Sequence, residues 1–442
     1  MNLLALDIGT SAVKAALFSN GRPGPVARYP IANQLSGVRA EIDPADLLAA
    51  VELAARAAAA GGTGGEVDLI AFDTFSAGPI VLSATGEPRT PIITHADRRS
   101  TAEALELEAA VPNILALAGN RPFPGGIASS TLRWLAKHSD VLANNPRVGQ
   151  TSSFVLHAWT NTWLIDPSQA VFLGMFDITA KTWSAELARA VGVPLAALPE
   201  IRFADQILAK LTPAAAARLN LQAGTPVLGG LIDTSAALVG AAAPALAPGQ
   251  LVHSAGSTDV LALILESPRP APHYLTRPIG TGAHLPERWL AVSTMAAAGS
   301  AVAWIRQTMF RELTDGQFDA ALRTACSQPL TANSQLPTFD PLLAGDRTDI
   351  VQRTAALTHL TLATTREDIL AALAQALIAA SRTRFENLAA VAPILPTIGT
   401  MGGNSILAAA MHQDWPNAAA YTFSPIENEA LTGLHILAQS IQ

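Results

Sequence analysis

One pattern occurs twice in this chain of 442 residues, and it constrains the fold more than any other feature. In each copy a short apolar run leads into a turn that holds a glycine and hydroxyl side chains, and a second apolar run follows. The first copy spans residues 3–18 and the second spans residues 251–263. Short apolar runs on both sides of a tight turn are typical of β-hairpins. The repetition predicts an α/β protein of two domains, each beginning with such a hairpin.

The first turn has the composition of a magnesium-phosphate site. Asp7 ends the first apolar run, and Thr10 and Ser11 add hydroxyls and backbone N–H groups after Gly9. A carboxylate can hold Mg²⁺, and the N–H groups of a turn can receive phosphate oxygens. Lys14 either adds a positive charge or faces solvent on its strand. An edge hairpin with a polar turn is the alternative, and the Walker A pattern is absent from this stretch.

Composition excludes several classes of function. Half of the residues are hydrophobic and 14% are charged, which suits large cores in two domains. A net charge of −7 without a basic cluster gives no general attraction for nucleic acid. The single cysteine, Cys326, excludes an internal disulfide and is expected to act as a small buried hydrophobe. The first residues lack a basic signal region, and charges interrupt the alanine-rich runs, so we expect a cytoplasmic protein without membrane contact.

Periodicity and capping signals predict the regular elements. Asp43 and Pro44 predict a helix start, and Thr364 to Glu367 reads as a capping box. The residues around Trp159 are mixed and aromatic, and we expect this indole in the core. Strands are predicted at 67–72, 79–82, 92–96 and 226–232, and helices at 43–60, 101–110, 129–138, 184–190, 213–219, 294–310, 365–390 and 406–413.

Polar residues follow two of the predicted strands. Ser76 and Ala77 come shortly after the strand at 67–72, and Asp97 begins a charged group, Asp97-Arg98-Arg99, after the strand at 92–96. Ligands of α/β folds usually bind just beyond the strand ends. The alternative for the charged group is an ordinary helix start with a solvated ion pair.

Two further stretches place glycines between a strand and a helix. Gly229 and Gly230 precede Asp233, which would begin an alanine-rich helix. Asp233 would serve there as a simple N-cap, or as a functional acid if the glycines mark a close backbone contact. Gly402 and Gly403 also lead from a strand into a helix, which is a weak signal for a nucleotide cradle.

Taken in order, these motifs resemble those of the FGGY carbohydrate kinases, and the resemblance covers nearly the whole chain. The family has two actin-like (ribonuclease-H-like) α/β domains with the active site in the cleft between them. The resemblance implies a first domain at residues 1–245 and a second at 246–442, with a hinge near residues 243–249. The motifs are Asp7-Ile8-Gly9-Thr10-Ser11, Asp97-Arg98-Arg99, Gly229 to Asp233, Ala255-Gly256-Ser257-Thr258, Gly402-Gly403-Asn404 and Glu429 to Gly433.

The resemblance also implies roles for individual residues and for two cofactors, ATP and Mg²⁺. Asp233 matches the general base, and Asp7 matches the acid that serves the metal. The expected nucleotide contacts are Thr10, Ser11, Lys14, Gly256, Ser257, Thr258, Gly402, Gly403 and Asn404. The expected substrate contacts are Ser76, Ala77, Asp97, Asp233 and Thr234.

The expected reaction is ATP-dependent phosphorylation of a sugar or polyol hydroxyl, with a pentulose such as xylulose or ribulose favoured. A glycerol or gluconate kinase is the alternative within the family, and a non-catalytic actin-like ATP-binding protein is the alternative outside it. The chain departs from the family at Thr131, where many relatives have lysine, at His95, where a tryptophan is common, and at Asn404. Whether the chain forms a homodimer stays open.

Overall fold

The computed structural model describes residues 1–61, 66–242, 245–327, 337–402, 405–426 and 430–442. Within these ranges the chain forms two large sheets with helices packed on them, a mixed sheet of seven strands and a second of six. We call residues 1–242 the first lobe and residues 245–426 the second lobe. The predicted α/β class is confirmed. None of the helices in the described ranges combines the length and apolarity needed to cross a membrane.

The first lobe contains sixteen strands and nine α-helices. The strands are β1 Asn2–Ile8, β2 Ala12–Ser19, β3 Arg22–Pro23, β4 Ala27–Pro30, β5 Gln34–Ser36, β6 Arg39–Ile42, β7 Leu69–Thr74, β8 Pro79–Leu82, β9 Ile92–Ile93, β10 Arg147–Gln150, β11 Leu164–Ile165, β12 Phe176–Asp177, β13 Thr182–Trp183, β14 Glu200–Ile201, β15 Ala209–Lys210 and β16 Pro226–Ile232. The helices are α1 Pro44–Ala60, α2 Thr101–Ala110, α3 Ile114–Ala118, α4 Ala128–His138, α5 Thr151–Thr160, α6 Pro167–Leu173, α7 Ala185–Val191, α8 Pro213–Leu219 and α9 Asp233–Ala242.

The described remainder holds eight strands and five α-helices. The strands are β17 Leu251–Ala255, β18 Asp259–Leu265, β19 Leu275–Pro278, β20 Trp289–Met295, β21 Thr338–Asp340, β22 Ala356–Thr358, β23 Thr397–Met401 and β24 Thr422–Pro425. The helices are α10 Gly299–Met309, α11 Asp315–Ser327, α12 Arg366–Ala389, α13 Ser405–Asp414 and α14 Ala430–Gln439.

The first sheet has the order β15-β16-β7-β1-β2-β3, and β4 also pairs with β2. β1 runs antiparallel to β2 and parallel to β7, and β7 runs parallel to β16. Alternate side chains of β1 face opposite sides, as expected for a strand. Leu4 and Leu6 join the core with α1, whereas Leu3 and Ala5 join the core with α9 and α14. The sheet is therefore covered by helices on both faces.

The second sheet repeats this topology in the order β19-β20-β18-β17-β23-β24. β17 runs antiparallel to β18 and parallel to β23, and β23 runs parallel to β24. β17, β18 and β23 therefore correspond to β1, β2 and β7. The predicted repetition of the opening hairpin is confirmed, and it is a repetition of the sheet that contains the hairpin.

The last helix, α14, packs against the first lobe although it ends the chain. Its main contacts are with α9, and it also meets β1 and β7. A Cβ atom added at Gly433 would lie 1.7 Å from the Ala236 carbonyl oxygen, so a larger residue would push the two helices apart. Gly433 therefore has a packing reason for its place in the last motif. The division of the chain at residues 245 and 246 stays a prediction.

Two predicted elements need correction, and one stretch without a predicted element forms a helix. The helix predicted at 294–310 begins only at Gly299, because Thr294 lies in β20 and pairs with Val260 across the sheet. The capping box of α12 uses Thr365 and Asp368, one residue later than predicted. Residues 151–160, which gave no clear pattern, form α5, whose Trp159 is fully buried as expected. In the first and third cases sheet pairing and burial override the local signal.

The glycine pair in β16 has a structural explanation. Gly229 and Gly230 have φ values of +99° and +82°, and the pairing register with β7 shifts at this point. A Cβ atom added at Gly229 would lie 2.2 Å from the Phe72 carbonyl oxygen. The close contact expected at these glycines is therefore made by the neighbouring strand, in a β-bulge that precedes Asp233.

We predict that Gly229→Ala destabilises the fold far more than Gly224→Ala. Gly224 also has a positive φ, +85°, but a Cβ atom there meets no atom within 4 Å. The control should therefore cost only the strain of the backbone conformation, ~1–2 kcal/mol, and Gly229→Ala a further ~1–3 kcal/mol for the clash. Urea unfolding followed by tryptophan fluorescence measures both. Equal midpoints for the two variants would contradict this account of the bulge.

Candidate active site

Three aspartates lie at the carboxyl ends of three adjacent parallel strands. Asp7 of β1 pairs in register with Asp73 of β7, and Asp73 pairs with Leu231 of β16. Asp233 follows directly after β16 and begins α9, as predicted. This edge of the sheet faces the second lobe. The arrangement concentrates negative charge at one place between the lobes.

A cavity of about 510 Å³ opens at this edge and is lined by both lobes; we call it the large cavity to distinguish it from a smaller one of about 380 Å³ beside Gly402. Most of the predicted substrate-binding residues lie there, together with the residues of the first phosphate turn. The predicted residues that line it are Asp7, Thr10, Ser11, Lys14, Ser76, Asp233 and Thr234. The second lobe adds side chains from three strands of its sheet and from one loop, namely Val260, Leu275, Arg277, Val292, Thr294 and Arg347.

Asp233 is held at the start of α9 by the residue that follows it. Its Oδ1 atom accepts hydrogen bonds from the Thr234 backbone N–H at 2.5 Å and from the Thr234 hydroxyl at 2.9 Å. Burial raises the pKa of Asp233 above its ordinary value, and the charge of Asp7 raises it further. The Thr234 hydrogen bonds and Arg277 lower this pKa and so favour the carboxylate. An acid with these neighbours suits proton acceptance.

Asp7 is paired with the lysine of its own hairpin. The Lys14 ammonium lies 3.0 Å from Asp7 Oδ2, and the Asp7 side chain is 15% exposed. No cluster of three or more potential metal-ligating residues occurs among the described residues. Mg²⁺ at a phosphate site commonly needs only one or two carboxylates, with water and phosphate as the other ligands. Asp7 fits that requirement because its carboxylate reaches the cavity.

Asp73 is a further acid that the sequence interpretation did not assign. Its side chain is fully buried, and neither of its carboxyl oxygens has a hydrogen-bond partner among the described residues. Burial raises the pKa of Asp73 well above its usual range, and the charges of Asp7 and Asp233 raise it further. The neutral acid is thus favoured at this position. The signal in the sequence was an acid directly after the apolar strand at 67–72.

Two predicted substrate residues do not line the cavity. Ala77 is fully buried in the core. Asp97 is also fully buried, and its carboxylate accepts hydrogen bonds from the Ala40 and Arg99 backbone N–H groups, both at 3.0 Å, and from the Arg99 guanidinium. Asp97 therefore holds its own loop in place. Its neighbours His95 and Arg98 line the cavity instead. Thr131 is buried in α4.

The predicted second phosphate turn lies at the start of α10. The carbonyl groups of Gly256 and Ser257 accept hydrogen bonds from Gly299 and Ala298 N–H at 3.1 and 3.0 Å. Gly256, Ser257 and Thr258 do not line the large cavity. They are close to Gly402, because a Cβ atom added at Gly402 would lie 2.5 Å from the Ala255 carbonyl oxygen. The structure thus brings the second turn and the glycine motif together.

Gly402 lines a second cavity, of about 380 Å³, in the second lobe. His412 and His253 also line it, and their Nε2 and Nδ1 atoms are 2.7 Å apart. His253 Nε2 in turn lies 2.7 Å from Asp259 Oδ2. Burial lowers the pKa of His412 to about 3, so this ring is neutral near pH 7. Two other predicted residues of this motif, Gly403 and Asn404, lie outside the described residues.

Positive side chains of the large cavity are the main feature that the sequence did not reveal. Arg98 lay within a predicted motif, but only its neighbour Asp97 was given a role. Arg277 lies on β19, and Arg347 lies in a segment between β21 and β22. Neither residue has a local pattern that marks it as functional, because the fold brings it to the cavity from far along the chain.

Comparison with known proteins agrees with this architecture. The family model described as the FGGY family of carbohydrate kinases, N-terminal domain, matches residues 2–240, and the model of the C-terminal domain matches residues 251–413. The xylulose kinase of Escherichia coli is 24% identical over 352 residues, which cover 78% of this chain and 69% of that protein.

Solved structures share the fold over nearly the whole chain. The xylulose kinase of Rhodospirillum rubrum gives a TM-score of 0.84 at 22% identity, covering 99% of this chain and 89% of that one. The glycerol kinase of Plasmodium falciparum, solved with ADP, gives a TM-score of 0.84 at 15% identity, covering 100% of this chain and 89% of that one. The two-lobed, actin-like architecture and the two family models together show that the chain belongs to the FGGY family of carbohydrate kinases.

Proposed function

We propose that this kinase transfers the γ-phosphoryl group of ATP to a hydroxyl of a small polyhydroxylated substrate in the large cavity, with Asp233 as the general base. The observation that supports this most is the position of Asp233. It lines the cavity from the start of α9, two strands away from the Asp7 hairpin. Phosphoryl transfer needs positioning and charge stabilisation more than covalent help from the protein.

In the proposed reaction, the substrate oxygen forms a bond to the γ-phosphorus while the bond from that phosphorus to the bridging oxygen of ADP breaks. The hydroxyl proton moves to the Asp233 carboxylate, whose Oδ1 is fixed by Thr234. The Thr10 and Ser11 turn lies beside Asp7 and supplies donors toward the phosphates. Asp7 would hold Mg²⁺, which neutralises phosphate charge when it is bound.

The nucleotide is proposed to extend from the cavity toward the second turn and Gly402. These residues lie in the second lobe, at the carboxyl end of β17. β1, the corresponding strand of the first lobe, carries the first phosphate turn at the same end. The glycerol kinase of Plasmodium falciparum with the same fold was solved with ADP. Part of the predicted hinge, residues 243 and 244, lies outside the described residues. Closure of the lobes over the cavity stays a prediction.

The acceptor is a small sugar or polyol. A pentulose such as xylulose or ribulose stays the prediction from the resemblance, and xylulose kinases of Escherichia coli and Rhodospirillum rubrum are among the similar proteins. Glycerol and gluconate are the alternatives, and a protein that only binds ATP is the alternative of another class. The cavity supports a kinase over the last alternative, because a binding protein needs no base beside the phosphate turn.

We predict that Asp233→Asn lowers kcat by roughly 10²–10⁴-fold, the usual contribution of a general base, and leaves ATP affinity unchanged. ADP release should be measured by a coupled assay against neutral ketoses, polyols and sugar acids, and ATP binding by calorimetry. Asp46→Asn is the matched control, because Asp46 is an exposed acid in the first turn of α1. Turnover that survives Asp233→Asn would show that the base is assigned wrongly.

We also predict a pH effect from the neighbour of the base. The Thr234 hydroxyl bonds to the carboxylate and lowers the pKa of Asp233, so Thr234→Val should raise that pKa. The base must be deprotonated to act, and the acid limb of the kcat/KM profile should therefore move to higher pH. Thr212→Val, which alters a similar hydroxyl at the start of α8, should leave the profile in place. If the acid limb stays at the same pH in Thr234→Val, it does not report the ionisation of Asp233, and the prediction is contradicted.

A further inference from the structure

The large cavity has an excess of positive charge at its acceptor side. Its charged lining consists of five cations, Lys14, Arg28, Arg98, Arg277 and Arg347, and two carboxylates, Asp7 and Asp233. Lys14 and Arg28 are paired positions on β2 and β4, beside the phosphate turn. The three other arginines come from separate parts of the chain, and the charge of Asp233 acts on two of them, Arg277 and Arg347.

Arg277 is buried and poorly satisfied. The residue is only 4% exposed, and its Nε atom is buried without a hydrogen-bond partner among the described residues. The guanidinium lies over the ring of Phe172, 5.7 Å from the ring centroid. No described carboxylate forms an ion pair with it, and Asp233 is the one acid that acts on its charge at longer range. A buried charge in this position is costly unless something else pairs with it.

Arg347 is a second arginine of the cavity lining that lacks an ion-pair partner in the described ranges. It has no hydrogen bond or ion pair with any side chain in the described ranges, and Asp233 is again the acid that acts on it. Arg98 is a positive neighbour of Arg347. Burial, together with the charges of Arg347 and Arg98, lowers the pKa of His95 to about 4, so this ring is neutral near pH 7 and adds no positive charge. Asp97 acts on the charge of Arg98, and the single carboxylate of Asp233 is left to face two guanidinium groups, those of Arg277 and Arg347.

Arg277 lies away from the predicted phosphate turns. β19, which carries Arg277, is the edge strand, and β20 separates it from β18, which begins after the second turn. Two strand spacings amount to about 10 Å. In the first sheet, β7 likewise separates the Asp7 strand from β16 and Asp233. Arg277 therefore faces the acceptor more than the polyphosphate of the nucleotide.

We infer that the acceptor substrate carries an oxyanion, which binds between Arg277 and Arg347 while its hydroxyl faces Asp233. The inference rests on the proposed kinase function and names its substrate class. The planar guanidinium donates paired hydrogen bonds to a carboxylate or to a phosphate. A sugar acid and a sugar phosphate offer the same chemistry, and a neutral pentulose would leave the two arginines unpaired.

The test compares probes that differ mainly in the anion. Binding of gluconate and glucitol, and of ribulose 5-phosphate and ribulose, is measured by calorimetry on the full chain without nucleotide. We expect at least one anionic probe to bind about 10- to 100-fold more tightly than its neutral counterpart, and the pair that shows this distinguishes a carboxylate from a phosphate. If neither anionic probe binds more tightly than its counterpart, the inference is overturned.

Variants locate the effect at the arginines. Arg347→Gln should remove the preference for the anion, and Arg347→Lys should retain part of it, because lysine keeps the charge without the planar donor pair. Arg353→Gln is the control, since Arg353 lies on the same segment, is 59% exposed and is only 3.7–3.8 Å from its acidic neighbours. A loss of ATP affinity in Arg347→Gln with unchanged affinity for the anionic probe would overturn the inference and assign the arginine to the nucleotide.

The same probes separate this inference from the proposed function. ADP release with a neutral sugar as the best substrate would support the kinase reaction and overturn the anionic substrate class. Tight, Arg347-dependent binding of an anionic probe without ADP release would support the oxyanion site and contradict phosphorylation of that acceptor.

Discussion

The cleft is governed by the mutual repulsion of acids at the ends of three neighbouring strands. The register of β1, β7 and β16 places Asp7, Asp73 and Asp233 side by side, and burial and like charge both oppose the ionisation of Asp73 and Asp233. Each of the three acids is accommodated in a different way. Asp73 is favoured as a neutral acid, Asp7 is paired with Lys14, and Asp233 is stabilised by Thr234. Asp233 combines access to the cavity with a raised pKa, which strengthens it as a proton acceptor.

The acids of this cleft come from one lobe, whereas its cations come from both. The acids belong to the first lobe, and Arg277 and Arg347 reach them from the second. The lobes are also joined away from the cavity, where Asp205 accepts hydrogen bonds from four consecutive backbone N–H groups at residues 282–285, at 2.8–3.2 Å. The loop after β19 is therefore anchored to the first lobe, and Asn120 also exchanges hydrogen bonds with the backbone of Thr276, the residue before Arg277. Charge complementarity between the lobes and a fixed connection near β19 together shape the site.

Sequence alone predicted the parts of the fold that are set locally. The opening hairpin, α1 with its Asp43 cap and the start of α9 at Asp233 all carry turn or capping signals, and the structure has them. Thr294 was misassigned because its strand is defined by pairing with β18, which no local pattern reveals. Arg277 and Arg347 were missed for the same reason, because only the folded chain brings them close to the distant residues of the cavity. Asp97 is the opposite case. Its charged motif stood out in the sequence, but its buried side chain holds its own loop in place and does not line the cavity.

The central claim is that this cavity transfers a phosphoryl group to a bound hydroxyl rather than to water. Phosphorus-31 NMR of the reaction with ATP and the best acceptor tests it most directly, because it resolves ADP, inorganic phosphate and a phosphate monoester in one sample. The account predicts one monoester formed for each ADP, with little inorganic phosphate. Inorganic phosphate as the main product, in the same amount with and without the acceptor, would contradict it and identify the protein as an ATP hydrolase.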